Sequence, residues 1–70
     1  MRGRVTTFDG HTGLGIVTAD DGTDFPFHCV EIADGSRTID TGVTVEFREL
    51  PKLGRVEAAA IRPIQRRDPA

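Results

Sequence analysis

Hydrophobic and polar residues alternate in short runs along this chain, and turn-forming pairs separate the runs. The clearest alternation places Val43, Val45 and Phe47 on one side and the polar residues between them on the other. A repeat of two residues is the period of a β-strand. Asp-Gly pairs, which favour tight turns, follow each of the first three runs. The pattern predicts strands at residues 2–8, 14–18, 25–30, 43–50 and 55–62.

Two of these runs are less regular than the others. The second places Leu14 and Ile16 on one face and Val17 on the opposite face, so it carries large apolar residues on both. The fifth contains residues 57–60, Glu-Ala-Ala-Ala, which have helix propensity. The β-branched and proline residues around them and the short span favour a strand.

Five short strands joined by turns of a few residues predict a small all-β domain, an antiparallel barrel. The stretch of residues 30–39 is the longest connection and fits one helical turn or an irregular loop. We assign residues 1–63 to the barrel. Residues 64–70 are polar and arginine-rich, and they are predicted to be a flexible tail.

The composition fits one small globular domain. The chain has 70 residues, of which 37% are hydrophobic and 29% are charged. A single cysteine excludes an internal disulfide. Residues 1–30 hold no apolar run of five, so neither a secretory leader nor a membrane span is expected, and the cytoplasm is the expected location. The net charge of −2 argues mildly against binding duplex nucleic acid.

The side chains that carry catalytic or metal chemistry are few. His28 and Cys29 are adjacent on a predicted strand, so they are expected to face opposite sides. No paired ligand spacing of the zinc type occurs, so no metal or other cofactor is expected. Asp20, Asp21 and Asp24 surround a turn, where aspartate is a common turn former. We therefore expect no enzymatic activity and no small-molecule substrate.

Residues 12–17, Thr-Gly-Leu-Gly-Ile-Val, are similar to the ribonucleoprotein motif, with aliphatic residues where that motif has aromatic ones. Residues 24–29, Asp-Phe-Pro-Phe-His-Cys, stand where a second motif of this kind would lie. With these two segments the chain resembles the cold-shock domain of bacteria. The resemblance extends to residues 3–9, to the Asp-Asp-Gly turn, to residues 42–47 and to residues 58–63, so it covers residues 3–63.

The resemblance implies a five-stranded antiparallel barrel of the oligonucleotide-binding type. It also implies that the protein binds single strands by stacking bases on exposed aromatic side chains, beside a basic surface. Several of the family's aromatic positions are changed here. Thr7 replaces a tryptophan, and Leu14, Ile16, Pro26 and Cys29 replace phenylalanines.

Of the stacking residues, Phe8 and His28 remain, so Phe8 is the main candidate for stacking on a base. The predicted nucleic-acid-binding residues are Arg4, Thr7, Phe8, Leu14, Ile16, His28, Arg55 and Arg62. Further phosphate contacts are assigned to Arg2, Arg37 and Lys52.

The expected partner is single-stranded RNA or DNA, bound weakly and with little sequence preference by a monomer. A weak dimer is the alternative state. The resemblance implies an RNA-chaperone or gene-regulatory role in stress. An alternative remains open, in which the barrel is a protein-interaction module that has lost nucleic-acid binding, because exposed apolar residues also mark protein contacts. Separately, Pro26 is predicted to disrupt the strand ladder locally, since proline has no N–H.

Overall fold

The computed structural model describes residues 1–64, which form five β-strands joined by turns and loops. The strands are β1 (Arg2–Asp9), β2 (Leu14–Ala19), β3 (Asp24–His28), β4 (Thr44–Lys52) and β5 (Arg55–Pro63). All five predicted strands are confirmed, and residues 57–60 belong to a strand. The predicted tail lies outside the described residues from residue 65 onward, so the division between barrel and tail stays a prediction.

Neighbouring strands pair antiparallel in the order β3-β2-β1-β4-β5. The sheet curls until its two edges meet beyond β3, where the Ala33 amide donates to the Ile61 carbonyl at 2.7 Å. Ile32 also forms a parallel bridge with Ile61. The edges are joined at this bridge rather than by a continuous ladder. The expected all-β, five-stranded barrel of the oligonucleotide-binding type is confirmed.

The interior is filled by the inward-facing residues of every strand. Phe25 and Phe27 lie in this core, and Phe25 packs against Phe47 with ring centroids 5.4 Å apart. The largest fully buried side chains are Val5, Val17, Phe27, Val45, Phe47 and Ile61. Three of the four phenylalanines are therefore core residues.

A β-bulge in β1 decides which side chains reach the outer surface. Val5 pairs with Val17, but Thr7 rather than Thr6 pairs with Ile16, so Thr6 is an extra residue on β1. An added residue reverses the faces of the residues that follow it. Thr7 consequently faces outward with Ile16.

The third strand is shorter than predicted. It ends at His28, because a 3₁₀ turn, Cys29–Glu31, begins there and His28 caps it: the Val30 amide donates to His28 Nδ1 at 3.3 Å. The prediction of a strand through Val30 is therefore wrong at its end. A side-chain cap of this kind does not change the alternation of apolar residues, so the sequence pattern does not predict it.

The prediction that Pro26 disrupts the ladder is also wrong, because the β2–β3 register is unbroken from Leu14–His28 to Thr18–Asp24. The Cys29 amide donates to the Gly13 carbonyl at 2.7 Å. Hydrogen-bonded and non-hydrogen-bonded pairs alternate along an antiparallel ladder. Gly13 and Cys29 therefore form a hydrogen-bonded pair, and Ile16 and Pro26, three pairs further along, form a non-hydrogen-bonded pair. The Pro26 nitrogen points away from β2, toward the open side of the edge strand β3.

Candidate nucleic-acid interface

The outer face of β1–β3 presents the predicted binding residues in cross-strand rows. One row runs Pro26, Ile16, Thr7 across β3, β2 and β1, and the next places His28 beside Leu14. We call these five residues the outer platform. Leu14 is 55% exposed although it lies on β2, which has a paired strand on each side. The platform therefore has an apolar centre of Leu14, Ile16 and Pro26 that is open to solvent, with Thr7 and His28 at its edges.

The tip of the β4–β5 hairpin borders the platform and turns it into a groove. Lys52 pairs with Arg55 across a turn at Leu53 and Gly54. The groove encloses about 510 Å³, within the range of small ligand sites. Its lining consists of the outer platform together with Gly15, Phe27, Lys52, Arg55 and Glu57.

Glu57 on β5 neutralises much of the charge at this tip. Its carboxylate lies 2.7 Å from Arg55 Nη2 and 3.5 Å from Lys52 Nζ. Glu57 is 8% exposed and is the one buried charged residue in the part of the chain that the structure describes. Arg55, which sequence reasoning assigned to phosphate, is therefore already paired with an acidic group. Its guanidinium keeps further N–H donors for a second partner.

His28 combines two contacts at the platform edge. Its Nδ1 accepts the Val30 amide, so in the neutral ring the hydrogen sits on Nε2. The side chain is exposed and pairs across the strands with Leu14. Capping of the 3₁₀ turn thus orients the ring at the edge of the apolar surface.

Phe8 does not reach the outer platform. It follows the Thr6 bulge, pairs with Gly15 and stacks on the buried Phe27 with ring centroids 6.0 Å apart. Phe8 is half-buried and packs against the core. The structure therefore separates it from the surface with which sequence reasoning grouped it.

The predicted arginines lie in three different places. Arg55 lines the groove, and Arg4 pairs with Thr18 on the same outer face, one row beyond Ile16. Arg62 pairs instead with Glu46 on β4, away from the groove. The structure brings Arg4 and Arg55 to the face that carries the platform and leaves Arg62 outside it.

The three further residues predicted to contact phosphate also lie in different places. Lys52 lines the groove. Arg2 is cross-strand to Glu46 on β4, and Arg37 lies exposed in the loop before β4. Of these three residues, Lys52 alone is a groove residue.

Sequence reasoning did not include Glu57 and Pro26 in the site. The signal for Glu57 was present: a turn at Leu53 and Gly54 places Lys52 opposite Arg55, and Glu57 follows Arg55 by two residues on the same face. Pro26 was considered for its missing N–H and as a replacement for a phenylalanine of the family, but it was not included among the binding residues. Its cross-strand pairing with Ile16 makes it part of the apolar floor.

The metal and membrane findings concern residues 1–64 only. No group of three or more potential metal-ligating side chains occurs there, and no helix is long and apolar enough to cross a membrane. His28 and Cys29 are not held on opposite faces of a strand, because β3 ends at His28. The Cys29 sulfur lies 3.9 Å from His28 Nδ1.

Comparison with known families supplies the identity of this arrangement. The family described as the 'Cold-shock' DNA-binding domain matches residues 1–64. The chain belongs to the cold-shock domain family. A search of curated proteins gave no match. Family membership supports nucleic-acid binding of the cold-shock type, and the family is not typically enzymatic.

In this cold-shock domain, three of the five outer-platform residues, Leu14, Ile16 and Pro26, are aliphatic, and His28 carries the platform's one aromatic ring. The platform's β2 residues are Leu14 and Ile16, and its β3 residues are Pro26 and His28. Aliphatic side chains pack against a base but lack the π-face that makes aromatic stacking worth about 1–3 kcal/mol per base.

Proposed function

We propose that this cold-shock domain binds single-stranded RNA or DNA weakly, with little sequence preference, on the outer platform and in the adjoining groove. The observation that carries the proposal is the exposure of Leu14 beside Ile16 and His28, next to two cationic side chains. An exposed apolar surface with flanking positive charge offers packing for bases and contacts for the backbone. Every base has a flat face, so this mode of binding tolerates sequence variation.

Charge limits the affinity of this surface. The cations on the outer face are Arg4, Lys52 and Arg55, while the carboxylates on the same face and the groove wall are Asp9, Asp24 and Glu57. The two sets balance. We therefore expect few net phosphate contacts and a slope of log affinity against log salt no steeper than about −1.4, the value for two contacts on a single strand.

The experiment is an anisotropy titration of a short pyrimidine-rich strand at two salt concentrations. Wild-type protein is compared with the double variant Leu14→Ser/Ile16→Ser. The matched control is Val30→Ser, which replaces an apolar side chain that is 70% exposed outside the platform. The proposal expects weaker binding by the double variant and unchanged binding by the control, with both proteins folded.

A second function is favoured by the same exposed leucine. An apolar patch with balanced charge also suits a protein contact, and the domain would then be an interaction module without nucleic-acid binding. In that case Leu14→Ser/Ile16→Ser abolishes a dimer or a partner complex, while wild-type protein binds no strand. Sedimentation of both proteins alongside the titration separates the two functions.

The biological role belongs to the same proposal. Weak binding with little sequence preference suits an RNA chaperone or a gene regulator acting in stress. We place such a protein in the cytoplasm as a monomer, with a weak dimer as the alternative.

A further inference from the structure

Glu57 is a buried carboxylate at the wall of an open groove. Burying a charge is unfavourable unless it is paired, and Arg55 and Lys52 provide that pairing. Both partners remain well exposed, with side chains 65% and 49% accessible, whereas the Glu57 side chain is 11% accessible. The fold thus fixes a carboxylate in the groove, beside two cationic donors.

The carboxylate has acceptor sites beyond those its partners use. An ionised carboxylate offers about four lone-pair positions on two oxygens. Arg55 approaches Oε2 at 2.7 Å and Lys52 approaches Oε1 at 3.5 Å. The remaining positions can receive N–H donors from a ligand in the groove.

The groove therefore presents two carboxylate oxygens next to a cationic donor. Among the nucleobases, guanine has the complementary edge: two adjacent N–H donor groups, N1 and the 2-amino group, beside the O6 acceptor. We propose that Glu57 is a specificity-determining residue that accepts hydrogen bonds from the Watson–Crick edge of one guanine in a bound single strand, with Lys52 or Arg55 donating to O6. This inference rests on the proposed function and adds a preference at one nucleotide.

The other bases match this wall less well. Thymine and uracil flank a single N–H with two carbonyl oxygens, which a carboxylate repels. Cytosine and adenine each offer one amino group beside an acceptor nitrogen. Only guanine has two adjacent donor groups for the two oxygens of Glu57. The preference for guanine is therefore assigned to Glu57 and not to the apolar floor of the groove.

The test compares three strands of about seven nucleotides, within the site size of such barrels. One is all thymidine, one has a single central guanine, and one has hypoxanthine at that position. Hypoxanthine lacks only the 2-amino group. We expect the guanine strand to bind about tenfold tighter than the thymidine strand, near the lower end for a bidentate base contact. The hypoxanthine strand is expected to lose most of that gain.

The variant Glu57→Gln separates recognition from folding. Its side chain keeps the shape but has one acceptor oxygen in place of two, so the guanine advantage is expected to fall to about twofold or less. Release of Lys52 and Arg55 should also steepen the salt slope for the thymidine strand, by up to about 1.4 for two contacts. The matched control is Glu49→Gln. Glu49 is an exposed residue on the same hairpin, and its cross-strand neighbour is Ala58. This variant should leave the guanine advantage unchanged.

The outcomes distinguish this inference from the proposed function. Equal binding of the guanine and thymidine strands by wild-type protein overturns the inference alone. That result needs no variant, so it holds even if Glu57→Gln does not fold. Failure of every strand to bind overturns both. Guanosine monophosphate binding as tightly as the guanine strand overturns the assignment to a strand.

Discussion

The rings of Phe8 and Phe27 stack with centroids 6.0 Å apart and planes inclined by 11°. Phe27 is 1% exposed, so this stack attaches Phe8 to the core rather than to the outer platform. The aromatic residue that sequence reasoning favoured for base stacking is thus engaged with another aromatic ring. The proposed binding surface therefore consists of Leu14, Ile16 and His28, with Phe8 behind it.

Replacement of Phe8 by alanine is expected to weaken the fold and leave strand binding nearly unchanged. A fully buried phenylalanine costs about 3–5 kcal/mol when truncated, so a half-buried one should cost about 1–3 kcal/mol. Urea denaturation measures the free energy of unfolding, and anisotropy measures affinity. The control is Val30→Ala, at a position that is 70% exposed and outside the platform, with a change in stability within about 0.5 kcal/mol and unchanged affinity. Loss of affinity with unchanged stability in Phe8→Ala would restore Phe8 to the binding surface.

Restoring aromatic residues on the platform is expected to strengthen binding. Leu14→Phe and Ile16→Phe each supply a ring where the aliphatic chain now lies, and we expect a gain of about five- to tenfold each, toward the lower end of base stacking. Val30→Phe adds a ring outside the platform and should have no effect. Dissociation constants for a thymidine strand measure the change. Equal gains at Val30 and Leu14 would show that the rings act nonspecifically.

The fold was predictable because strand alternation survives in the sequence. Val45 and Phe47 indicate β4 by their two-residue period, with Val43 immediately before it, and Gly54 indicates the turn to β5. The Thr6 bulge was not predictable in this way. Strict alternation from Val5 would place Phe8 outward, and the added residue turns it inward.

The site was predictable in part for a similar reason. Leu14, Ile16 and His28 follow from alternation and from the resemblance to the family. The carboxylate of Glu57 was missed because its role depends on a contact with Arg55 and Lys52. Such contacts follow from hairpin register, which composition and charge counts do not convey.

Gly15 is expected to be intolerant of any side chain. A Cβ at this position would lie 2.6 Å from Phe27 Cζ and 2.7 Å from the Thr7 carbonyl oxygen. The carbonyl belongs to the paired strand and cannot move aside, so Gly15→Ala should cost about 1–3 kcal/mol through overpacking.

The control for this variant is Gly10→Ala. The nearest atom to a Cβ there is Phe8 Cε2 at 3.9 Å, an ordinary contact. Thermal denaturation should show a clear decrease in Tm for Gly15→Ala and little change for Gly10→Ala. Equal Tm values for the two variants would contradict the close approach of β1, β2 and Phe27.

Acid should weaken two turns through their aspartates. The Thr23 amide donates to Asp21 Oδ1 at 2.9 Å, and this bond, with that of the Thr23 hydroxyl, lowers the pKa of Asp21 below its ordinary value of 3.8. The Ser36 amide lowers the pKa of Asp34 in the same way. The stability that each ionised aspartate contributes is present above its ordinary pKa of 3.8. It is lost as the pH falls through the lowered pKa of that aspartate in the folded protein.

The NMR chemical shifts of the side-chain carboxyl carbons, followed against pH, measure the pKa values of Asp21 and Asp34. The variant Thr23→Ala keeps the amide and removes the hydroxyl, so the pKa of Asp21 should rise only part of the way. A midpoint for Asp21 at or above 3.8 in the wild-type protein would be inconsistent with the hydrogen bonds of this turn.

Backbone amide shifts during titration with a thymidine strand of about seven nucleotides test the central claim most directly. The account predicts changes concentrated at Leu14, Ile16 and His28 and at the hairpin tip around Arg55. Changes confined to the surface around Glu46 and Arg62, or no change at millimolar strand, would contradict it.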